Sequence, residues 1–261
     1  MKVIAVASAK GGVGKTTVTE SLATALSRQT GRMVLAVDLD PQNALALHMG
    51  LDPYEMRGMS RATLAGGHWR DVCFECQPGL YVLPFGVVDE EDRTRLEAGI
   101  AARPDWLAAH LQALELPDDA LVLLDTPPGP TLYGQQALSV AQWVVVVMLA
   151  DAGSYATLPM MERLMQTYCT PRPDFAQTLY LLNQVNSARQ LSQDILRVMR
   201  ETAGEDFLGV IHSDEAVAEA LALGVSVLDH APQSLACHDI MNCAAGLAAR
   251  VQGAGAAHRQ E

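Results

Sequence analysis

Basic residues are scarce in this chain of 261 residues. It has 18 lysine and arginine residues against 30 aspartate and glutamate residues, which gives a formal net charge of −12. Non-specific DNA binding draws mainly on lysine and arginine side chains that neutralise phosphates, and attraction to anionic lipid surfaces has the same requirement. The charge balance therefore disfavours a protein that binds nucleic acid, and it disfavours direct contact with an anionic membrane.

Long apolar runs are also missing. A helix that spans a membrane needs about 20 apolar residues, whereas the longest apolar run, 143–150, has the length of a buried strand. Because the N-terminus begins directly with a strand-like segment, we expect no signal peptide. These two features predict a cytoplasmic protein without direct membrane insertion.

Cysteine is sparse, with five residues in the whole chain. An odd number without a visible leader favours reduced thiols. Cys73 and Cys76 have the CxxC spacing, which is compatible with a redox or metal site, but no second cysteine or histidine pair lies at zinc-site spacing. The simpler interpretation is that they are two small side chains in a connecting segment.

Only three lysines occur, at positions 2, 10 and 15, and two of them lie in the run KGGVGKTT at 10–17. This run joins a strand-like segment at 3–7 to a helix-like segment at 18–26, as in a loop whose backbone N–H groups hold a phosphate. In such a loop Lys15 reaches the terminal phosphates and the Thr16 hydroxyl ligates Mg²⁺. The usual pattern has glycine where this chain has Ala9, and it does not require Lys10. We expect nucleotide contacts from Lys10, Gly11, Gly12, Val13, Gly14, Lys15, Thr16 and Thr17.

Two acidic motifs follow predicted strands. Asp38 ends the segment 33–38, and Asp40 lies two residues later. One of these carboxylates can hold a metal-bound water and the other can orient an attacking water; a capped turn is the alternative. Asp125 ends the apolar run 120–125 and can reach Mg²⁺ through water. The sequence TPPG at 126–129 then forms a turn that could sense the γ-phosphate.

Strand-like runs alternate with helical patterns along the chain. This alternation predicts an α/β fold with a doubly wound, mostly parallel sheet and helices on both faces, with ligands at the carboxyl ends of the strands. We expect one domain over 1–252 and a flexible tail over 253–261, with the least regular segment, 52–104, as an insertion over the sheet. The predicted strands are 3–8, 33–38, 80–84, 120–125, 143–149, 178–183 and 207–211, and the predicted helices are 15–28, 157–168, 191–202, 214–223 and 238–251.

The motifs KGGVGKTT, DLDPQ at 38–42 and DTPPG at 125–129 together resemble those of the ParA/MinD family of deviant Walker A ATPases. The resemblance implies a P-loop NTPase that binds ATP or ADP with Mg²⁺ and forms an ATP-sandwich homodimer. It implies that Lys10 reaches the nucleotide of the opposite subunit, that Lys15 holds the β- and γ-phosphates and that Asp40 positions the hydrolytic water. The implied metal residues are Thr16 and Asp125, to which Asp38 is added as a carboxylate that can hold a metal-bound water, and the implied base contact is Asn183. His212 and Asp214 lie at the next strand end and could approach the adenine, and an N-cap role for Ser213 or Asp214 is the alternative.

Within that family, the segments 61–66, 69–71, 80–86 and 211–216 resemble the BcsQ branch of bacterial cellulose-secretion systems. This resemblance implies a small BcsR-like partner subunit and, through it, the inner-membrane cellulose synthase assembly, with recruitment to the inner membrane or cell pole. The helix 238–251 has small apolar residues and few basic ones, so it is expected to dock on the core and not on a membrane. Trp69 and Phe85 are interpreted as core residues, with a partner surface as the alternative.

The leading hypothesis is therefore an ATP-dependent dimerising switch with slow hydrolysis that scaffolds or localises cellulose synthase. A DNA-partition ATPase is the first alternative, and a metabolic enzyme that transfers phosphate to a small molecule is the second. The sequence offers no acceptor-site constellation for the second alternative.

Overall fold

An eight-stranded sheet forms the centre of the computed structural model, which describes residues 1–52 and 54–257. The strands lie in the order β3-β4-β2-β5-β1-β6-β7-β8. Every neighbouring pair is parallel except β3 and β4, which are antiparallel. The strands are β1 (Lys2–Ala7), β2 (Val34–Asp38), β3 (Phe74–Gln77), β4 (Leu80–Leu83), β5 (Leu121–Asp125), β6 (Trp143–Leu149), β7 (Gln177–Val185) and β8 (Phe207–His212).

Helices cover both faces of the sheet. One face packs against α1 (Lys15–Thr30), α2 (Leu45–His48), α10 (Glu215–Ala222), α11 (Val227–His230) and α12 (Leu235–Ala257). The opposite face packs against α3 (Met59–Ala65), α4 (Glu90–Ala101), α5 (Trp106–Ala113), α6 (Leu132–Leu138), α8 (Leu158–Tyr168) and α9 (Gln190–Ala203). The short helix α7 (Ala152–Tyr155) follows β6. The central strands are uniformly apolar because both of their faces are buried.

The order of the strands sets the position of the site. Strand β1 lies between β5 and β6. From β1 the chain leads to β2, toward one edge of the sheet, whereas from β6 it leads to β7, toward the other edge. Ligands of such sheets bind in the crevice at the carboxyl ends, where the strand order reverses. The phosphate loop follows β1 at this crevice, and the two acidic motifs follow β2 and β5.

All seven predicted strands are present, with ends that differ by one or two residues, and the predicted fold class is confirmed. The segment 52–104 was expected as an insertion over the sheet, but it supplies the two strands at one edge, β3 and β4. Strand β3 was not predicted, because it has only four residues and none of its side chains is fully buried. Its antiparallel pairing with β4 depends on the tight turn at Gly79, which has a φ of 80°.

Trp69 and Phe85 are 2% and 0% exposed, so the prediction that they belong to the core is confirmed. Helix α12 buries Ala244, Leu247 and Val251 against the sheet, as expected of a helix docked on the core. It continues to Ala257, into the first part of the predicted tail, and 258–261 lie outside the described residues. No helix in the described part of the chain is both long and apolar enough to cross a membrane.

Candidate nucleotide-binding site

The loop between β1 and α1 is a rigid turn built on glycine. Gly12 and Gly14 have φ values of 75° and 83°, in the left-handed region that favours glycine. A Cβ atom at position 14 would also collide with the Asn183 amide. That amide donates a hydrogen bond of 2.9 Å to the carbonyl oxygen of Val13. The loop therefore has both the backbone freedom and the fixed shape that a phosphate cradle requires.

Lys15 is the first residue of α1 and is only 7% exposed. Burial lowers its pKa, and the nearby carboxylates of Asp125 and Asp40 oppose that shift. The described residues include no hydrogen-bond partner for its ammonium group. A buried cation at the N-terminus of a helix is placed to bind an anion such as a phosphate.

Asp38 and Asp125 face each other at the ends of the paired strands β2 and β5. Burial raises the pKa of Asp38 well above its usual range, and repulsion from Asp125 adds to this shift. Burial also raises the pKa of Asp125 to about 6, although the Lys15 charge and neighbouring hydroxyl groups oppose the shift. The site thus holds two buried carboxyl groups whose negative charge is incompletely compensated by the protein.

The two carboxyl groups differ in their hydrogen bonds. Asp38 accepts from the backbone N–H groups of Asp40 at 2.9 Å and Leu45 at 3.0 Å, one on each oxygen. Asp125 accepts from the Thr19 hydroxyl at 3.2 Å through Oδ1, whereas its Oδ2 is buried and has no partner among the described residues. Asp38 therefore organises the loop that carries Asp40, and Asp125 retains an oxygen that is available to a metal-bound water.

This arrangement fits Mg²⁺ that arrives with a nucleotide. No group of three or more His, Cys, Asp or Glu side chains that could hold a metal ion occurs in the part of the chain that the structure describes. Mg²⁺ is usually held by one or two carboxylates together with waters and substrate phosphates. The orphaned Oδ2 of Asp125 and the Thr16 hydroxyl at the start of α1 are protein ligands of that kind.

Asp40 belongs to a tight turn, so the capped-turn interpretation also holds. Its Oδ1 accepts from the N–H of Gln42 at 3.0 Å, and its carbonyl accepts from the N–H of Asn43 at 2.9 Å. Asn43 has a φ of 51°, which closes the turn. The turn holds the Asp40 carboxylate near enough to Lys15 to influence its pKa, which is where a residue that orients water beside the phosphates belongs.

Lys10 lies at the outer edge of the loop. Its Nζ is 3.4 Å from Oδ2 of Asp151, and the two side chains are 47% and 40% exposed. Asp151 follows β6 and caps α7 by accepting from the N–H of Ser154 at 2.6 Å. No sequence motif indicated Asp151, although its position after β6 agrees with the rule that functional groups follow the carboxyl ends of parallel strands.

A cleft of about 410 Å³ opens beside the loop, at the ends of β7 and β8. Asn183 and His212 line it, and its walls include Val18, Val217 and Leu221. The amide of Asn183 is engaged with the loop, and Nδ1 of His212 lies 2.7 Å from Oδ2 of Asp239 on α12. The structure thus brings the predicted loop, acidic and strand-end residues to one edge of the sheet.

The chain is similar in sequence and in fold to several known proteins. Residues 1–247 match the family model described as "Cellulose biosynthesis protein BcsQ". The BcsQ protein of Escherichia coli strain K12 is 29% identical over 245 residues, which are 94% of this chain and 93% of that protein. The chromosome-partitioning ATPase Soj of Thermus thermophilus is 34% identical over 255 residues, 95% of this chain and 96% of that protein. A solved structure of the septum site-determining protein MinD of Pyrococcus horikoshii, complexed with Mg-ADP, has a TM-score of 0.73 and 25% identity, covering 93% of this chain and 94% of that chain.

Proposed function

The chain belongs to the BcsQ family, among ATPases of the ParA/MinD type, and from this premise we propose that it is an ATP-dependent dimerising switch that scaffolds or localises a bacterial cellulose synthase complex. Hydrolysis is slow and resets the switch. The observation that carries the proposal is the phosphate loop with a buried Lys15 and a second, exposed lysine at position 10.

The nucleotide is ATP or ADP with Mg²⁺. The loop residues 10–17 would hold the phosphates, and Lys15 would pair with the β- and γ-phosphates. Thr16 and Asp125 would hold Mg²⁺, and Asp38 would add its negative charge to the metal site. Mg²⁺ neutralises charge on the phosphates when it is bound. Asp40 positions the attacking water, and Asn183 and His212 lie at the base. Support comes from the orphaned Asp125 oxygen and from the relative that was crystallised with Mg-ADP.

Lys10 acts across the dimer, on the nucleotide bound by the second copy. In the single chain it pairs with Asp151 at 3.4 Å, and both groups are partly exposed to solvent. An exposed ion pair of this kind contributes about 0–1 kcal/mol. Because so little energy holds it, the Lys10 ammonium can exchange Asp151 for a phosphate of the partner's nucleotide.

The downstream partners are proteins. Family membership supports a small BcsR-like subunit and the inner-membrane cellulose synthase assembly, which recruits this chain to the inner membrane or cell pole. The net charge of −12 disfavours DNA as a partner.

The first test is solution mass, measured with light scattering for protein with Mg-ATP, with Mg-ADP and without nucleotide. Wild type should dimerise only with Mg-ATP, and Lys10→Ala should stay monomeric because the trans phosphate contact is lost. Lys2→Ala is the matched control, since it removes the same charge outside the loop. A mass that does not depend on nucleotide, or dimerisation of Lys10→Ala equal to that of wild type, would refute the switch.

The cellulose role needs a separate test in the source organism. A chromosomal deletion should abolish cellulose, measured by Calcofluor binding, and wild type should restore it while Lys10→Ala should not. Normal cellulose in the deletion strain would refute this part of the proposal and leave the ATP switch standing.

Chromosome or plasmid partition is the second candidate, supported by the 34% identity to Soj. It predicts DNA binding with Mg-ATP that falls steeply with salt. Absence of binding at low salt, measured by fluorescence anisotropy of a labelled duplex, would eliminate this candidate.

A further inference from the structure

His212 presents a hydrogen-bonding group to the cleft that the proposed phosphate contacts do not use. The cleft begins at Gly14 and Thr17, so a nucleotide whose phosphates lie in the loop places its base there. The inference therefore rests on the proposed function. The contacts that the cleft makes with the base determine which nucleoside triphosphate the switch accepts.

Several polar groups around the cleft are committed to the fold. The Asn183 amide donates to Val13. Asp214 accepts from the N–H groups of Ala216 at 3.0 Å and Ala236 at 3.2 Å, one on each oxygen. Among the described residues of the lining, Nε2 of His212 and the side chains of Thr17, Gln184, Ser213 and Glu215 have no protein hydrogen-bond partner. Thr17 belongs to the phosphate loop, and of the remaining groups His212 is the one that a second side chain, Asp239, holds in place.

Asp239 fixes the His212 ring. One oxygen, Oδ2, accepts from the backbone N–H of His212 at 2.9 Å and lies 2.7 Å from Nδ1 of the ring. A carboxylate only accepts hydrogen bonds, so the proton of the neutral ring is on Nδ1 and Nε2 is an acceptor. Asp239 lies on α12, which is packed into the core, and its side chain is only 13% exposed. The direction and the tautomer of the ring are thus set by a rigid element.

We infer that His212 selects adenine over 6-oxopurines, and that Asp239 is a positioning residue that enforces this selection through the ring. Adenine carries an amino group at C6, which donates to Nε2. Guanine and hypoxanthine carry a carbonyl oxygen there, which places two acceptors against each other. A site that leaves a buried polar group unpaired rejects the wrong ligand more strongly than a purely apolar wall does.

The test compares the dissociation constants of ATP and ITP, measured by isothermal titration calorimetry with Mg²⁺ at pH 8.5, above the usual titration range of histidine. These ligands differ only at the C6–N1 edge of the base, so the phosphate contacts cancel in the ratio. Wild type should prefer ATP by about tenfold or more. In His212→Asn, the shorter side chain keeps an amide near the position of Nδ1, where it can bond Asp239, but it does not reach the position of Nε2. The dissociation constants of ATP and ITP should then differ by less than about threefold, mainly because ATP binds more weakly.

His238→Asn is the matched control, because His238 is exposed on the same helix as Asp239 and bonds only the carbonyl of Ser234, through Nδ1. It should keep the wild-type ratio. A ratio that is unchanged in His212→Asn, or one that collapses in Gln184→Ala instead, would overturn the role of His212. Failure of wild type to bind either nucleotide would overturn the proposed function itself.

The role of Asp239 has its own readout. In Asp239→Asn the amide N–H can donate to Nδ1, which allows the tautomer with the proton on Nε2. The ATP preference should fall, and the ¹⁵N chemical shifts of the His212 ring should show the change of tautomer in protein labelled at histidine. Unchanged ring shifts together with an unchanged ratio would show that Asp239 does not position the ring.

Discussion

Asp125 illustrates, at the scale of one residue, how a binding site is maintained at a cost to stability. Its carboxyl group is buried, one oxygen has no partner, and burial raises its pKa to about 6. An unfolded aspartate has a pKa of about 3.9. The folded state therefore holds the proton more tightly, and the stability from this group is lost as the pH rises from about 4 to about 6.

Asp125→Asn should accordingly raise the melting temperature of nucleotide-free protein at pH 7.5. A shift of about two pKa units corresponds to at most about 3 kcal/mol, so we expect a gain of a few degrees for a chain of this size. The gain should shrink toward pH 5, because wild-type Asp125 is then mostly protonated. Scanning calorimetry without Mg²⁺ measures both effects.

The control is Asp119→Asn, an exposed carboxylate that should leave the curve unchanged. Equal melting temperatures of wild type and Asp125→Asn at pH 7.5 would contradict the electrostatic account. The same variant should also lose most of the stabilisation that Mg-ATP gives, because the oxygen kept for the metal is gone.

The residues of the phosphate loop could be identified from the sequence because their role is local. Lys15, Thr16 and the glycines act within one loop, so the order of the residues already specifies their geometry. Asp151 and Asp239 act through contacts with residues that lie 141 and 27 positions away. No local pattern indicates such pairings, and only the packing of β6 and α12 creates them.

At the scale of secondary structure, Asp214 joins two helices at the edge of the cleft. Its Oδ1 caps α10 at Ala216, and its Oδ2 accepts from Ala236 in the first turn of α12. The cap holds the N-termini of α10 and α12 together behind His212. The N-cap role of Asp214, which the sequence offered as an alternative to a contact with the base, is confirmed. The second bond was not foreseeable, since α12 begins 21 residues later.

Asp214→Ala should destabilise the fold by about 2 kcal/mol, because each lost cap costs about 1 kcal/mol. The matched control is Asp89→Ala, which removes a single cap from α4, bonded to the N–H of Asp92 at 2.8 Å. Urea unfolding should show about twice the loss for Asp214→Ala. Equal losses would mean that the bond to α12 contributes nothing.

Strands were predicted better than helices, for a physical reason. The central strands are buried on both faces, so they are unbroken apolar runs such as WVVVVML in β6. Helices α4 and α5 were missed: α4 carries seven polar or charged residues among twelve, and α5 spans only eight residues. Their amphipathic patterns are too short to stand out from the surrounding loops, although both bury side chains in the core.

At the scale of the whole molecule, the proposed switch predicts a link between folding stability and assembly. A ligand that binds only the native state raises the melting temperature, and a dimer makes that temperature depend on protein concentration. With Mg-ATP the melting temperature should rise with protein concentration, whereas with Mg-ADP it should be higher than without nucleotide but independent of concentration. Differential scanning fluorimetry over a hundredfold concentration range measures this.

Asp40→Ala should separate ATP-dependent dimerisation from ATP hydrolysis. Loss of the water-positioning carboxylate should leave the phosphate contacts intact, so the concentration dependence with Mg-ATP should persist during long incubation, while in wild type it decays as ATP is hydrolysed. Lys10→Ala should keep the shift caused by nucleotide and lose the concentration dependence, because it binds ATP but does not pair. If Asp40→Ala hydrolyses ATP at the wild-type rate, a different group orients the water, and the turn at 40–43 has only a structural role.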